Sequence, residues 1–195
     1  MLIGLTGGIA TGKSTFCCFL RELADLVFFD ADECVHELLS SDPAVITAVQ
    51  KEFSLTPGTP VDRSVLREIV FRDPAKRRRL EGVLHPVVRQ RWRSMAKECQ
   101  QTGRHFLADI PLLFETAAEE AFDATVVIAS SSATQRARLA DRGVDEAMID
   151  AMLASQWPIG QKVPLADQVI WNDGSLAGLR RQAAPLLRNI LPRWT

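Results

Sequence analysis

Short apolar runs alternate along this chain with longer stretches in which apolar residues recur every three or four positions. The short runs are rich in β-branched and aromatic residues, as is typical of strands buried in a parallel sheet. They are Leu2–Thr6, Leu26–Phe29, Phe106–Ile110, Ala124–Ala129 and Gln168–Trp171. Because helical stretches separate them, the pattern predicts an α/β fold with a mainly parallel five-stranded sheet flanked by helices.

The longer stretches predict helices. Ser14–Leu23 carries apolar residues on one helical face directly after the first strand. About 75 residues separate the second and third strands, too many for a plain crossover, so Glu33–Gly103 is predicted to be a helical insertion. Within it, helices are expected at Pro43–Phe53, Ser64–Phe71, Ala75–Leu84 and Val87–Gln101, with a turn-rich piece at Pro57–Pro60 and a helix junction at His85-Pro86.

Composition narrows the class of protein. The 195 residues include 23 Lys plus Arg and 24 Asp plus Glu, a net charge of −1, so no nucleic-acid partner is expected. No apolar run approaches the roughly 18 residues of a membrane-spanning helix, and we expect a cytoplasmic protein. The four cysteines lack metal-ligand spacing and are expected to be small buried residues in a reducing compartment.

The strongest chemical signal is Gly7-Gly8-Ile9-Ala10-Thr11-Gly12-Lys13-Ser14, which matches G-x-x-x-x-G-K-[ST] between a strand and a helix. Glycines let the backbone curl so that its N–H groups converge on phosphate oxygens, and the helix N-terminus adds positive potential. Lys13 would reach the β- and γ-phosphates, and the Ser14 hydroxyl would coordinate Mg²⁺. The residues expected to bind ATP here are Gly8, Ile9, Ala10, Thr11, Gly12, Lys13, Ser14 and Thr15.

Carboxylates stand at the ends of two predicted strands, where ligands of parallel sheets bind. Asp30 and Asp32 close the second strand and would face the same side if the strand continued through them. Either could act as a base or hold the metal through water, or could cap the following helix. Asp109 ends the third strand and could hold Mg²⁺ through water, although a turn-capping role stays open. Glu115 stands out in an apolar segment without an assigned role.

Gln135, Arg138 and Arg142 have spacings of three and four, which predict one helical face within the excursion Ser130–Pro164, whereas Arg136 points elsewhere. Arginines closing over a triphosphate stabilise the transferring phosphoryl group. A solvated helix face is the alternative, which the phosphate-binding motif disfavours.

These motifs together resemble the dephospho-CoA kinase family over roughly residues 2–182. The specific features are Asp-Ala-Asp at 30–32, His-Pro at 85–86 and the segment Asp109-Ile110-Pro111-Leu112-Leu113-Phe114-Glu115. The resemblance implies a P-loop NTPase fold of the nucleotide-kinase type and phosphorylation of the ribose 3′-hydroxyl of dephospho-CoA by ATP with Mg²⁺, the last step of coenzyme A synthesis. It also implies a nucleotide-binding core (1–32, 104–130 and 164–195), a substrate domain (33–103) and a lid (131–163).

By the same resemblance, Lys13, Asp32 and Arg138 are the catalytic residues. Asp32 would accept the proton of the 3′-hydroxyl, and Arg138 would contact the transferring phosphoryl group. The resemblance adds Arg142 and Asn172 to the ATP site, and Arg63, His85 and Leu112 to the substrate site beside Asp32. The family usually has Gly-Ser where Ala10-Thr11 stand, so one backbone position must tolerate a β-carbon.

Two alternatives remain. Another small-molecule P-loop kinase, such as a nucleoside monophosphate kinase, would need a pocket for a base and a 5′-phosphate. A nucleotide-switched binding protein of the GTPase kind would be favoured by an Asn-Lys-x-Asp element, which the sequence lacks.

Overall fold

The computed structural model of the chain describes residues 1–56, 61–62, 66, 69–70 and 73–191. Its strands are β1 (Leu2–Gly7), β2 (Leu26–Asp30), β3 (His105–Asp109), β4 (Ala124–Ala129) and β5 (Gln168–Trp171). All five predicted strands are confirmed, each to within one residue at either end. They form one sheet in the order β2-β3-β1-β4-β5.

The sheet places the loop that follows β1 at its centre. β1 pairs in parallel with β3 on one side and with β4 on the other, and β4 pairs in parallel with β5. Every residue of β1 and of β4 is buried, because both faces of these central strands are covered. The carboxyl ends of parallel strands meet at one edge of a sheet, so Gly7, Asp109 and Ala129 end there together.

Helices connect and cover the strands. They are α1 (Lys13–Leu23), α2 (Ala31–Ser41), α3 (Pro43–Phe53), α4 (Pro74–Thr102), α5 (Ser132–Ala140), α6 (Glu146–Leu153), α7 (Ile159–Lys162), α8 (Leu176–Arg181) and α9 (Ala183–Ile190). α1 packs its apolar face against the sheet and α9, and buries Phe16, Cys17, Phe19 and Leu20. Full burial of one such Phe or Leu side chain contributes about 1.5–3 kcal/mol. Cys18 lies on the opposite face of α1 and is exposed, so the prediction that all four cysteines are buried is wrong for this residue.

α4 runs without interruption through Pro86, so the helix junction predicted at His85-Pro86 is wrong. A proline inside a helix costs about 3 kcal/mol, because it removes a backbone hydrogen bond and crowds the carbonyl four residues earlier. Here a single apolar stripe continues past the proline and keeps both halves in one helix; it consists of Leu84, Val88, Trp92, Ala96 and Cys99, all buried. The carbonyl that the ring crowds belongs to Gly82, which has no side chain of its own to be accommodated.

The chain divides into two compact units, one formed by residues 1–29 and 96–195 and the other by residues 30–95. The boundaries predicted for the substrate domain, 33–103, and for the lid, 131–163, stay predictions. Most of the predicted helix Ser64–Phe71 and all of Pro57–Pro60 lie outside the described residues. None of the helices in the described part of the chain is long and apolar enough to cross a membrane.

Candidate active site

The turn between β1 and α1 has a backbone that depends on glycine. Gly12, which caps α1, has a φ of 91°, a left-handed conformation that L side chains rarely adopt. A β-carbon on Gly12 would lie 2.3 Å from Nδ2 of Asn172, and one on Gly7 would lie 2.6 Å from the carbonyl oxygen of Ile128. Neither position has room for any other residue.

Five consecutive carbonyl groups of this turn, from Gly7 to Thr11, accept hydrogen bonds from side chains. The donors are Lys162 Nζ to Gly7 (3.4 Å), Thr11 Oγ1 to Gly8 (2.9 Å), Gln135 Nε2 to Ile9 (2.6 Å), Arg138 to Ala10 (3.0 Å) and Asn172 Nδ2 to Thr11 (2.7 Å). The C=O of one residue and the N–H of the next point in opposite directions across a planar trans peptide. The N–H groups of Gly8, Ala10 and Gly12 therefore face away from these donors, as a phosphate-binding loop requires.

Ala10 occupies a strained position in this loop. Its φ of 59° is left-handed, although it carries a β-carbon. The expectation that one backbone position must tolerate a β-carbon is thereby confirmed. A non-glycine residue in this region costs roughly 1–2 kcal/mol, which the hydrogen bond from Arg138 to the Ala10 carbonyl helps to offset.

Asp109 and Lys13 form an ion pair at the inner side of the loop. Asp109 is only 4% exposed at the end of β3, and its other oxygen lies 3.8 Å from Sγ of Cys17. β3 and β1 pair in register with Asp109 beside Leu5, so the pairing of these strands brings the carboxylate to the loop. A buried carboxylate needs such a partner, and the pair gathers the predicted phosphate-binding cation and the predicted metal-binding acid in one place.

Ser14 and Thr15 are exposed in the first turn of α1, immediately after Lys13. The Ser14 hydroxyl and the Asp109 carboxylate are hard oxygen ligands. Mg²⁺ in kinases takes one or two such protein ligands and fills its other positions with phosphate oxygens and water, so the donor set fits this ion. The described part of the chain contains no group of three or more His, Cys, Asp or Glu that could hold a metal by itself.

α5 brings Arg138 to the outer side of the loop. Its guanidinium donates to the Ala10 carbonyl at 3.0 Å, to Ser130 Oγ at 3.2 Å and to the Asn172 carbonyl at 2.7 Å. Gln135, one turn earlier, is buried and donates to Ile9. The predicted shared face of Gln135 and Arg138 is thus the face that α5 turns to the loop.

Arg142 does not share this face, and that part of the prediction is wrong. α5 ends at Ala140, and Arg142 is exposed in the turn that follows. The turn closes because Gly143, with a φ of 77°, donates its N–H to the Ala140 carbonyl at 2.8 Å. This is the usual role of a glycine just after a helix, and it ends the helical spacing before Arg142.

Asn172, predicted for the ATP site, binds the carbonyl side of the loop. It follows β5, is 5% exposed, and its side chain donates to the Thr11 carbonyl. Its own carbonyl accepts from Ser130 Oγ at 2.8 Å as well as from Arg138. A contact between Asn172 and adenine stays a prediction.

Asp30 and Asp32 both belong to the unit of residues 30–95. Their predicted common orientation on an extended strand is wrong, because α2 begins at Ala31. Asp30 caps this helix and accepts from the N–H groups of Asp32 and Glu33 at 2.8 and 3.0 Å, so the capping alternative is confirmed for Asp30. Asp32 is exposed in the first turn of α2.

The predicted substrate residues have three different settings. His85 is half-buried on α4, and desolvation lowers its pKa below the ordinary value, with Arg89 acting in the same direction against Glu81. It lines an open groove of about 500 Å³ together with Arg78 and Arg89. Leu112 is half-buried in the turn after β3. Arg63 lies outside the described residues.

Sequence reasoning missed Lys162. Its side chain is fully buried at the end of α7, and its ammonium contacts Gly7 and an ion-pair partner, Glu115. The available signal was the spacing of three between Ile159 and Lys162, which places both on one face of α7. That signal is weak, because most lysines in such a position are exposed at their tips.

A parallel sheet with a phosphate-binding loop after its central strand, a lysine in that loop and an acid at the end of the neighbouring strand defines a P-loop kinase-type fold. The family model for dephospho-CoA kinase matches residues 1–178. A dephospho-CoA kinase from Anaeromyxobacter dehalogenans is 40% identical over 195 residues, covering 97% of this chain and 92% of that protein. One from Chlorobaculum tepidum is 33% identical over 199 residues, covering 98% and 95%. The chain belongs to the dephospho-CoA kinase family, which confirms the resemblance.

Solved structures agree with this assignment. A dephospho-CoA kinase from Campylobacter jejuni has a TM-score of 0.69 and 27% identity, covering 97% of this chain and 96% of that one. The protein TT1252 from Thermus thermophilus has a TM-score of 0.77 and 29% identity, covering 98% of both chains. A shikimate kinase from Acinetobacter baumannii has a TM-score of 0.51 at 17% identity, and this likeness shows the fold alone.

Proposed function

We propose that this chain transfers the γ-phosphoryl group of ATP to the ribose 3′-hydroxyl of dephospho-CoA, giving ADP and coenzyme A. Family membership over residues 1–178 supports the choice of acceptor. The observation that carries the chemistry is the loop at residues 7–12, whose carbonyls accept from side chains, so that the N–H groups of Gly8, Ala10 and Gly12 would face a bound phosphate chain. The absence of an Asn-Lys-x-Asp element speaks against a guanine-nucleotide switch.

Lys13 is the residue that meets the phosphates. In the described structure its ammonium pairs with Asp109, so phosphate binding exchanges one anionic partner for another without leaving the cation unpaired. Ser14 and Asp109 would hold Mg²⁺, which neutralises charge on the phosphates when it is bound. Thr15 lies beside Ser14 in the first turn of α1 and adds a hydroxyl at the same helix N-terminus.

Asp32 is the proposed base that accepts the proton of the 3′-hydroxyl. Its exposed position in the first turn of α2 leaves the carboxylate accessible to a substrate. Arg138 is the proposed contact of the transferring phosphoryl group, and its guanidinium would have to leave the Ala10 and Asn172 carbonyls to reach that group.

The remaining assignments follow the family. Residues 33–103 would form the substrate domain, with Arg63, His85 and Leu112 contributing to acceptor binding, and residues 131–163 would form the lid. Arg142 and Asn172 would contact ATP. The free thiols of all four cysteines suit a protein of the reducing cytoplasm.

An ADP-release assay with dephospho-CoA as acceptor, and with adenosine and AMP as controls, tests the proposal. We expect ADP release with dephospho-CoA to exceed release with either control by at least about 10²-fold, because one missing set of polar contacts costs that much or more. Equal or faster turnover with AMP, together with thermal stabilisation by AMP and not by dephospho-CoA, would favour a nucleoside monophosphate kinase.

The variant Asp32→Asn tests the base. We expect kcat to fall by about 10²-fold or more while ADP affinity stays within threefold, because the amide keeps the shape of the side chain but cannot take up the proton. Near-normal turnover would remove Asp32 from this role. Asp30→Asn is the matched control: Asp30 caps α2, and asparagine caps a helix about as well as aspartate, so this variant should keep both its stability and its kcat close to the wild type.

A further inference from the structure

Lys162 is a cation without solvent exposure, and each of its three N–H bonds has an acceptor. The ammonium donates to the Pro111 carbonyl at 2.8 Å and to the Gly7 carbonyl at 3.4 Å, and it pairs with Oε1 of Glu115 at 2.8 Å. These acceptors belong to the last residue of β1 and to the turn that follows β3. Lys162 itself ends α7, so three separate segments meet at one nitrogen.

Stability alone does not account for this ion pair. Taking both charges out of water is costly, and replacing a buried pair by apolar groups is often neutral or stabilising. Burial lowers the pKa of Lys162 against the opposing effect of Glu115, and the neighbouring charge of Lys13 lowers it further. Oε2 of Glu115 is also buried without a hydrogen-bond partner among the described residues. A pair with these costs suggests a role other than holding the fold together.

The pair joins the loop to the segment 157–162. Oε1 of Glu115 accepts the backbone N–H of Trp157 at 3.0 Å as well as the Lys162 ammonium, so one oxygen holds both ends of that segment. Residues 157–160 of this segment line a cavity of about 500 Å³ that Gly8 and Ile9 also line. The ion pair therefore contacts both parts of the chain that line this cavity.

The contact with Gly7 bears directly on phosphate binding. The Gly7 carbonyl and the Gly8 N–H belong to one peptide plane, so a rotation of that plane moves the N–H that faces the phosphate. Gly8 itself is closely packed against Gln135, since a β-carbon on Gly8 would lie 2.5 Å from Nε2 of Gln135. Lys162 is thus the side chain that fixes this peptide plane from the side of α7.

We propose that Lys162 and Glu115 are positioning residues for phosphoryl transfer, which together hold the Gly7–Gly8 peptide and the segment 157–162 in the arrangement the reaction needs. The inference rests on the proposed function, because it concerns the rate of that transfer. A misplacement of about 1 Å can cost 10²-fold in rate without a comparable loss of ground-state binding. The pair should therefore affect kcat more than nucleotide affinity.

The test compares Lys162→Met, the double variant Lys162→Met/Glu115→Gln and the wild type, with Arg180→Met as the matched control. Lys162→Met leaves Glu115 buried without its cation and is expected to unfold at a lower temperature. The double variant removes both charges and should recover most of the melting temperature. Arg180 forms an exposed ion pair with Glu22 and lies outside the proposed site, so its variant should keep wild-type kcat.

Melting temperature, ADP affinity and kcat with dephospho-CoA are measured for each protein. We expect the double variant to melt within a few degrees of the wild type and to bind ADP within threefold, yet to lose at least tenfold in kcat. A kcat within threefold of the wild type would overturn the inference, and so would a loss of ADP affinity that equals the loss of kcat. Wild-type protein without dephospho-CoA kinase activity would instead refute the proposed function.

If the double variant does not fold, Glu115→Gln alone decides the question. Its amide oxygen can still accept from Trp157, but the charge that fixes the Lys162 ammonium is gone. A loss of at least tenfold in kcat at unchanged ADP affinity would support the positioning role. A kcat within threefold of the wild type would show that the pair serves folding only and would overturn the inference.

Discussion

Replacing Ala10 by glycine should stabilise the protein, which is opposite to the usual effect of this substitution. Ala10 has a left-handed φ of 59°. The β-carbon costs roughly 1–2 kcal/mol in that conformation, and glycine removes this cost. Glycine also gives the unfolded chain more freedom, which costs about 0.4–1 kcal/mol. The balance is a gain of up to about 1.5 kcal/mol, centred near 0.8 kcal/mol.

Two further substitutions provide the controls. Ala117 has a φ of 47° and is exposed in the turn after β3, so Ala117→Gly should bring a similar gain. Ala48 lies inside α3, where the backbone is right-handed, and Ala48→Gly should cost about 0.5–1 kcal/mol. The sign of the effect therefore separates left-handed from helical alanines within the same protein.

Thermal unfolding measures the three effects. For a chain of this size 1 kcal/mol corresponds to about 2–4 °C, so we expect Ala10→Gly to raise the melting temperature by about 2–3 °C. Because the loop already has its phosphate-binding conformation, ATP affinity should change by less than threefold. A melting temperature lowered as much as in Ala48→Gly would refute the reasoning, since it would mean that Ala10 is not left-handed in solution.

Three further substitutions or titrations test other parts of the structure. Gly12→Ala should lower the melting temperature by roughly 5–15 °C and abolish ATP binding. The added methyl group would displace the Asn172 side chain from the Thr11 carbonyl. An ATP affinity within threefold of the wild type would contradict this prediction. Asp167 accepts from the hydroxyl and the N–H of Thr125, which lowers its pKa below 3.8. Because the carboxylate is exposed, Asp167→Asn should cost only about 0.5–1 kcal/mol at neutral pH, and urea unfolding should show this difference disappear as the pH falls through the lowered pKa. Burial lowers the pKa of His85 below 6.5, and an NMR titration should show it rise when anionic dephospho-CoA is added; an unchanged value would remove His85 from the substrate site.

Periodicity predicted the sheet well because the central strands β1 and β4 are buried at every residue and therefore consist of continuous apolar runs, and the other strands keep short apolar runs of the same kind. It failed at Pro86, where the local preference of proline is overridden by one apolar stripe from Leu84 to Cys99. It also failed at Asp30 and Asp32. Their spacing of two positions fits both a strand and a helix N-terminus, and the cap that Asp30 forms decides between them.

The sequence motif predicted the side of the loop that faces phosphate but not the side that faces the protein. Glycines, Lys13 and Ser14 are adjacent in sequence because one short turn must present them together. Four of the five donors to the outer carbonyls come from residues 126 to 161 positions away, such as Gln135 and Asn172, and the local sequence of these donors does not show which carbonyl each one meets. Arg138 was predicted from its spacing on a helix, but its hydrogen bond to the Ala10 carbonyl could be recognised only from the folded structure.

This division has a physical reason. The inner face of the loop must fit a phosphate chain, which is the same in every nucleotide, so its residues form a fixed pattern. The outer face only needs a donor for each carbonyl, and an amide, a guanidinium, a hydroxyl or an ammonium can each supply one. Here all four types are used along five consecutive carbonyls. Since an unmet buried carbonyl costs about 1–3 kcal/mol, removal of any one donor should distort the loop. The most sensitive is Lys162, because its removal also leaves the charge of Glu115 buried without a partner.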